Sequence, residues 1–365
     1  MGEEQRVPSD EETVASTGIS DIYAAAKRLE GIVRKTPLIY SEFFSDVSGN
    51  ATYLKLENLQ TTGAFKLRGA YNHISMLTKE ERDRGVITAS AGNHAQGVAY
   101  ASQKLGVNAV ICMPATTPIL KVEATRALGA TVILHGNGFD DAYAHSLELQ
   151  KEKGYVYIHP FNDRNVIVGQ GTIALEVIDA LKDVDAILVP IGGGGLASGI
   201  ALAVKLVNPQ VKVIGVEPEN AACMKAALSC GRAITLPSAD TVADGCAVRT
   251  AGNLTLEFCR RYLDEIITVS EMEIMSALLS LIEKHKLIAE GAGVLSLAAL
   301  SKLRMKDKKV AVLISGGNID ISTISALISK ALISRGRVFR FSVQLPDKPG
   351  QLLTVAQILT DQDAN

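Results

Sequence analysis

No apolar run in these 365 residues is long enough to cross a bilayer, a task that takes about 20 consecutive apolar residues. Net charge is nearly absent too. The 37 Lys and Arg against 39 Asp and Glu leave −2, so the electrostatic footprint of a nucleic-acid or anionic-membrane binder is missing. The five cysteines, Cys112, Cys223, Cys230, Cys246 and Cys259, are odd in number and form no C-x-x-C pair. That argues against a disulfide framework or zinc site and reads as reduced thiols of a cytosolic protein. The opening MGEEQRVPSDEETVAST lacks the basic and apolar regions of a signal peptide and the arginine bias of a transit peptide. It reads as a disordered lead-in over residues 1–19. A cytoplasmic protein handling small molecules, with neither nucleic acid nor membrane as partner, is what these absences leave.

What is present is a rhythm. The length suits two domains. Helical spacing begins at SDIYAAAKRLEGIV, with Ser20 or Asp21 as the expected cap. Short apolar strands then alternate with helices: GVITAS before NHAQGVAYASQKLG, NAVICMP before ILKVEATRALG, TVILHG before FDDAYAHSLELQKEKG. A second series follows with GQGTIALEVIDAL, AILVPI, GLASGIALAVKLV, VKVIGVEP and KVAVLISGG. Such alternation predicts an α/β protein with mainly parallel sheets, in two units that divide near residues 153–165. The tail RVFRFSVQLPDKPGQLLTVAQIL reads as strand, turn and helix, too little to bury a core of its own.

One turn stands out. In ILVPIGGGGLASGIALAV, residues 187–204, a strand runs into Gly192, Gly193, Gly194 and Gly195 and then into a helix. Glycines let the backbone approach an anion, and the helix N-terminus offers free N–H groups and partial positive charge. A Walker loop would need Lys-Ser or Lys-Thr after the glycines, and none follows. A dinucleotide reading fits loosely through Gly192, Gly194 and Ala197, with Glu217 ending the next strand. It leaves the polar turns SAGNH and SGGN unexplained. Pyridoxal 5′-phosphate carries one phosphate and an aldehyde that needs a lysine. Lys66, in TTGAFKLRGA near a helix start, is the candidate.

Taken together, KLENLQTTGAFKLRGA, SAGNHAQG, GQGTIALEV, GGGGLASGIA, GVEPENA, AEGAGVLSLAAL and SGGN resemble the threonine/serine dehydratases. These are pyridoxal-phosphate enzymes of the tryptophan-synthase-β fold type, also called fold type II, and the resemblance spans residues 20–330. It implies two open parallel-sheet α/β domains: a large cofactor-binding one from residues 20–82 and 156–335, and a small one from 83–155. Residues 336–365 resemble the opening of an ACT domain. That segment alone would not close an effector site, so control by isoleucine or valine is left unassigned.

The resemblance also implies roles. Lys66 would carry the cofactor as a Schiff base and act as the base at the substrate Cα. Phe65 would pack against the pyridine ring. Gly192, Gly193, Gly194, Gly195 and Leu196 would hold the phosphate, and Ser315 would hydrogen-bond the pyridine nitrogen. Asn93 would reach the cofactor's 3′-oxygen, with Gly245 and Glu290 lining the ring. The turn of Ser90, Ala91, Gly92, Asn93 and His94 would receive the substrate carboxylate. A homodimer or homotetramer acting on a small amino acid is expected.

Two departures matter. Serine racemases carry a serine as second-face base where this chain has Ala91, and an alanine cannot hold a proton. Dehydration of L-threonine, with L-serine secondary, is therefore favoured over racemisation or dehydration of hydroxyaspartate; an inactive amino-acid sensor is the reading from another class. The racemases also bind a divalent cation through positions matching Glu217, the Ala221 carbonyl and an acidic residue replaced here by Cys223. A thiol is a poor ligand for a hard cation, so a monovalent ion near Glu217 and Ala221, or none, is expected.

Overall fold

The computed structural model describes residues 8–363. Its strands are β1 (Leu38–Tyr40), β2 (Ala51–Leu56), β3 (Val86–Ala89), β4 (Ala109–Met113), β5 (Thr131–Leu134), β6 (Val156–Tyr157), β7 (Ala186–Pro190), β8 (Lys212–Pro218), β9 (Glu265–Val269) and β10 (Lys309–Ile314). They form two sheets, ordered β1-β2-β10-β7-β8-β9 and β5-β4-β3-β6. Every pairing is parallel except that of β1 with β2. β6 reaches Tyr157, so the smaller sheet extends just past the residue 155 expected from sequence.

Alternation explains why the larger sheet's strands read as unbroken apolar runs. In β7, Ile187 and Val189 enter one core, while Ala186 and Leu188 enter the other; in β10, Ala311 and Leu313 oppose Val310, Val312 and Ile314 in the same way. A parallel sheet covered on both faces needs apolar side chains at every position. Each fully buried Leu, Ile or Val contributes about 1.5–3 kcal/mol. A charge at Leu188 would break this arrangement first, because it sits at zero exposure mid-strand.

The helix Lys66–Ser75 leaves the first sheet's neighbourhood and buries Leu67, Ala70, Tyr71 and Ile74 in the core that also holds Val86, Ala95, Val98 and Ile111. The lysine at its start therefore lies where the two units meet. The turns after β3, β7 and β10 leave the carboxyl ends of their strands, the usual location of ligand sites in open α/β sheets.

Both ends of the chain differ from expectation. Residues 1–7 of the expected lead-in lie outside the described residues. From Ser9 onward, however, the chain is ordered. Ser9 and Glu12 exchange side-chain to backbone hydrogen bonds at 3.2 and 2.8 Å, capping the helix Asp10–Ser16. Val14 then anchors that helix in the larger core. The next helix starts at Ile19 rather than after Ser20 or Asp21; Asp21 caps it from within, accepting the Gly18 N–H at 2.9 Å. In the tail, the helix Gln351–Asp361 forms with no buried residue, but residues 338–346 form no strand. A strand needs a ladder partner, and among the described residues none pairs with it.

Candidate active site

Lys66 opens its helix, directly after Phe65 at the N-cap. Its backbone is fixed from the larger sheet: the Phe65 N–H donates to the Ser315 carbonyl at 3.1 Å. The Lys66 amine donates to the Pro160 carbonyl at 2.7 Å and lies 5.3 Å from the Phe65 ring centroid. Burial pushes its ammonium down to about 8, while Cys246 and Glu290 pull it back up. No carboxylate forms a salt bridge with it among the described residues. A helix N-terminus further disfavours a cation.

The glycine turn links β7 to the helix Gly195–Val207. Gly194, the N-cap, has φ +98°, a left-handed conformation that side chains resist. A Cβ on Gly193 would come within 2.4 Å of the Phe161 ring. The Thr255 hydroxyl donates to the Gly193 carbonyl at 2.7 Å, and the Cys223 thiol to the Gly192 carbonyl at 3.5 Å. In trans peptides the N–H opposes the C=O, so these contacts turn the N–H groups of Gly193 and Gly194 to the other side. Leu196 lies buried in the helix's first turn, where N–H groups have no intrahelical acceptor.

Glu290 and Asn93 meet across the two units. The Asn93 side-chain amide donates to Glu290 Oε1 at 2.6 Å. Burial pushes the Glu290 carboxyl up to about 7, partly offset by that hydrogen bond. Gly245 packs beside it: a Cβ there would lie 3.1 Å from Ala292 and 3.8 Å from Glu290 Oε1. The Ser315 hydroxyl is buried and makes only a long 3.4 Å bond to the Ala292 carbonyl.

The SAGNH turn follows β3 into the helix Asn93–Leu105. Ser90 Oγ accepts the Gly92 N–H at 3.2 Å, shaping the turn, and a Cβ on Gly92 would face open space. Ala91 is half-buried. His94 departs from expectation as a side-chain donor. Its Nε2 lies 2.9 Å from the Ile158 carbonyl, which only accepts, so Nε2 carries the proton. Burial and the nearby Lys66 push the ring down to about 3. The neutral ring has only a Nδ1 lone pair left, without a partner among the described residues, and a lone pair gives a carboxylate nothing. The first-turn backbone N–H groups of this helix have no intrahelical acceptor.

Glu217 has other work. Its two oxygens accept the N–H groups of Met224 and Lys225 at 2.8 and 2.9 Å, capping the helix Cys223–Cys230, while burial pushes the carboxyl up to about 7. Ala221 is buried next to that cap. Among the described residues no three His, Cys, Asp or Glu side chains gather as a metal site.

Sequence reasoning passed over Asn318, the Pro160 carbonyl, Phe161, Thr255 and Cys246. Asn318 stands in the SGGN motif itself, and Pro160 and Phe161 in the polar turn IHPFND after β6. Thr255 and Cys246 carry no local signal; only the packing against the glycine turn reveals them. The donor set suits pyridoxal phosphate: an amine of lowered basicity, a helix N-terminus for phosphate, a hydroxyl and an amide for ring heteroatoms.

Known proteins agree. An L-threonine ammonia-lyase of Thermotoga maritima is 50% identical over 348 residues, 95% of this chain and 87% of the relative. The processed threonine deaminase isoform 2 of Solanum lycopersicum superposes with TM-score 0.83 at 41% identity, covering 86% of this chain and 87% of its own. Maize serine racemase gives 0.82 at 35%, covering 88% and 99%. The sequence pattern described as "Pyridoxal-phosphate dependent enzyme" matches residues 29–316, and this chain belongs to that family.

Proposed function

We propose that this protein deaminates L-threonine to 2-oxobutyrate and ammonia, with L-serine converted to pyruvate as a secondary activity. The observation that carries the reading is the pairing of Lys66, whose pKa burial lowers to about 8, with Ala91 at the position where a racemase needs a second base. Elimination needs a base on one face of the substrate; racemisation needs an acid or base on both.

Bound pyridoxal phosphate supplies the electron-withdrawing system that makes the substrate Cα–H acidic. Lys66, whose amine lies buried against the Pro160 carbonyl, would hold the cofactor through its aldehyde and, when free, would take the substrate Cα proton. Near neutral pH an amine with pKa about 8 is deprotonated often enough to serve as that base and still holds a proton well. Gly192 to Leu196 bind the phosphate through backbone N–H groups and the helix terminus. Ser315, whose buried hydroxyl makes only a long bond of its own, would offer the pyridine nitrogen a neutral hydrogen-bond partner rather than a carboxylate. The N–H groups around Ser90–His94 would receive the substrate carboxylate, and Asn93 would face the cofactor's 3′-oxygen.

The maize serine racemase likeness makes racemisation the natural rival, and Ala91 opposes it. Five unpaired cysteines support a reducing, cytoplasmic setting, and the family resemblance supports a homodimer or homotetramer. No described helix is long and apolar enough to cross a membrane. The test is 2-oxoacid release from L-threonine, L-serine and D-threonine by the cofactor-loaded protein. Faster 2-oxobutyrate from L-threonine than pyruvate from L-serine is expected. Conversion of L- to D-serine without oxoacid would overturn the reading.

A further inference from the structure

The Asn93 amide is held at both ends. Its nitrogen donates to Glu290 at 2.6 Å, and its oxygen accepts from the Asn318 amide nitrogen at 2.7 Å. Asn318 is itself fixed by the loop leading to Lys66. The same nitrogen donates to the Thr62 carbonyl at 2.7 Å, with Gln96 Oε1 at 3.4 Å. Its amide oxygen lies 2.3 Å from where a Cβ on Gly63 would sit, and the Gly317 N–H donates to the Gly63 carbonyl at 2.8 Å. Gly63 has φ +72°, so glycine serves both the turn and the close approach of Asn318.

The two ends of an amide have nearly the same shape and differ in what they offer: one accepts and the other donates twice. Glu290 fixes the polarity of Asn93 only while its carboxyl is ionised, because a protonated carboxyl can also donate. Asn318 has no such ambiguity, since its nitrogen is a donor at every pH. We propose that Asn318 is a positioning residue that fixes the polarity of the Asn93 amide, so that the second Asn93 N–H is delivered to the cofactor's 3′-oxygen. This rests on the site reading above. It also gives the SGGN turn a task beyond Ser315. Asn318 joins the end of β10, the Lys66 loop and the helix after β3, and so ties the two sheets together at the reacting centre.

The test uses the holoenzyme carrying Asn318→Ala, Asn318→Asp, Asn93→Ala, or Asn93→Ala with Asn318→Ala. The readouts are the pH titration of cofactor absorbance without substrate, the cofactor dissociation constant, and kcat against KM. Asn318→Ala should move the absorbance titration in the same direction as Asn93→Ala and lower kcat about tenfold with less change in KM. The double variant should show no further shift, because both act through one hydrogen bond. Asn318→Asp keeps the volume but presents an acceptor once ionised, so its defect should appear as pH rises and fade as pH falls. A wild-type titration in both Asn318 variants, with Asn93→Ala shifted, would overturn the proposal and leave the site reading standing. An unshifted Asn93→Ala would overturn the assignment of Asn93, and this proposal with it.

Discussion

Two cations stand two residues apart on one helix, and the protein treats them in opposite ways. Arg68 is 1% exposed and fully engaged: its guanidinium grips Glu57 at 2.8 and 2.9 Å and Glu176 at 2.7 Å. Glu176 in turn accepts from Lys55 at 2.5 Å, and Glu57 from the Thr36 hydroxyl at 2.6 Å. Burial opposes the Arg68 charge, yet the two carboxylates outweigh it and push the group up. Lys66 receives a single carbonyl and no carboxylate in contact, and burial wins. The lesson is how a fold makes a lysine reactive: the acidic groups are spent on a neighbouring arginine, which cannot lose its proton. For the lysine, desolvation outweighs the weaker pull of Cys246 and Glu290. Arg68 anchors the helix; Lys66 is free to exchange a proton or form a bond.

The sharpest way to break this contrast is Lys66→Ala, which should lower turnover by more than about a thousandfold and abolish covalent cofactor attachment, as read by steady-state assay and absorbance. Arg68→Met should act on folding instead. It leaves Glu57 and Glu176 with only Lys55 to offset them, at a cost of about 3–5 kcal/mol in urea unfolding of the apoprotein. Lys66→Met should do the reverse and stabilise the apoprotein by up to about 3 kcal/mol at pH 7. The folded lysine has pKa about 8 against 10.5 unfolded. Below 8 both states are protonated and the penalty is full; between 8 and 10.5 only the folded state sheds its proton, so wild-type stability rises. The advantage of Lys66→Met should therefore shrink across that window in melting curves taken at successive pH values. The smallest effect is expected of Ala91→Ser: a trace of D-serine formed from L-serine, visible by chiral chromatography, with little loss of oxoacid release.

Much of this was legible in the sequence, for physical reasons that also mark where legibility stopped. The strands of the larger sheet announced themselves because both their faces are buried, and the glycine turn because Gly193 and Gly194 admit no side chain. The helix Asp10–Ser16 was hidden behind its acidic composition. Its capping box and single anchor Val14 outweigh a polarity that reads as disorder. The tail strand failed in the opposite direction: its alternation is good, but pattern cannot supply a ladder partner. Whether the His94 ring can donate depends on which of its nitrogens meets the Ile158 carbonyl, a long-range contact that spacing cannot encode. Asn318 was missed for the same reason, since its partners lie more than two hundred residues away.

Lys66, and no other lysine, should carry the cofactor. Borohydride reduction of the loaded enzyme, followed by peptide mapping, tests it most directly. A pyridoxyl-phosphate mass is expected on the peptide containing Lys66, disappearing in Lys66→Ala. A reduced adduct on another lysine, with Lys66 unmodified in active enzyme, would contradict it.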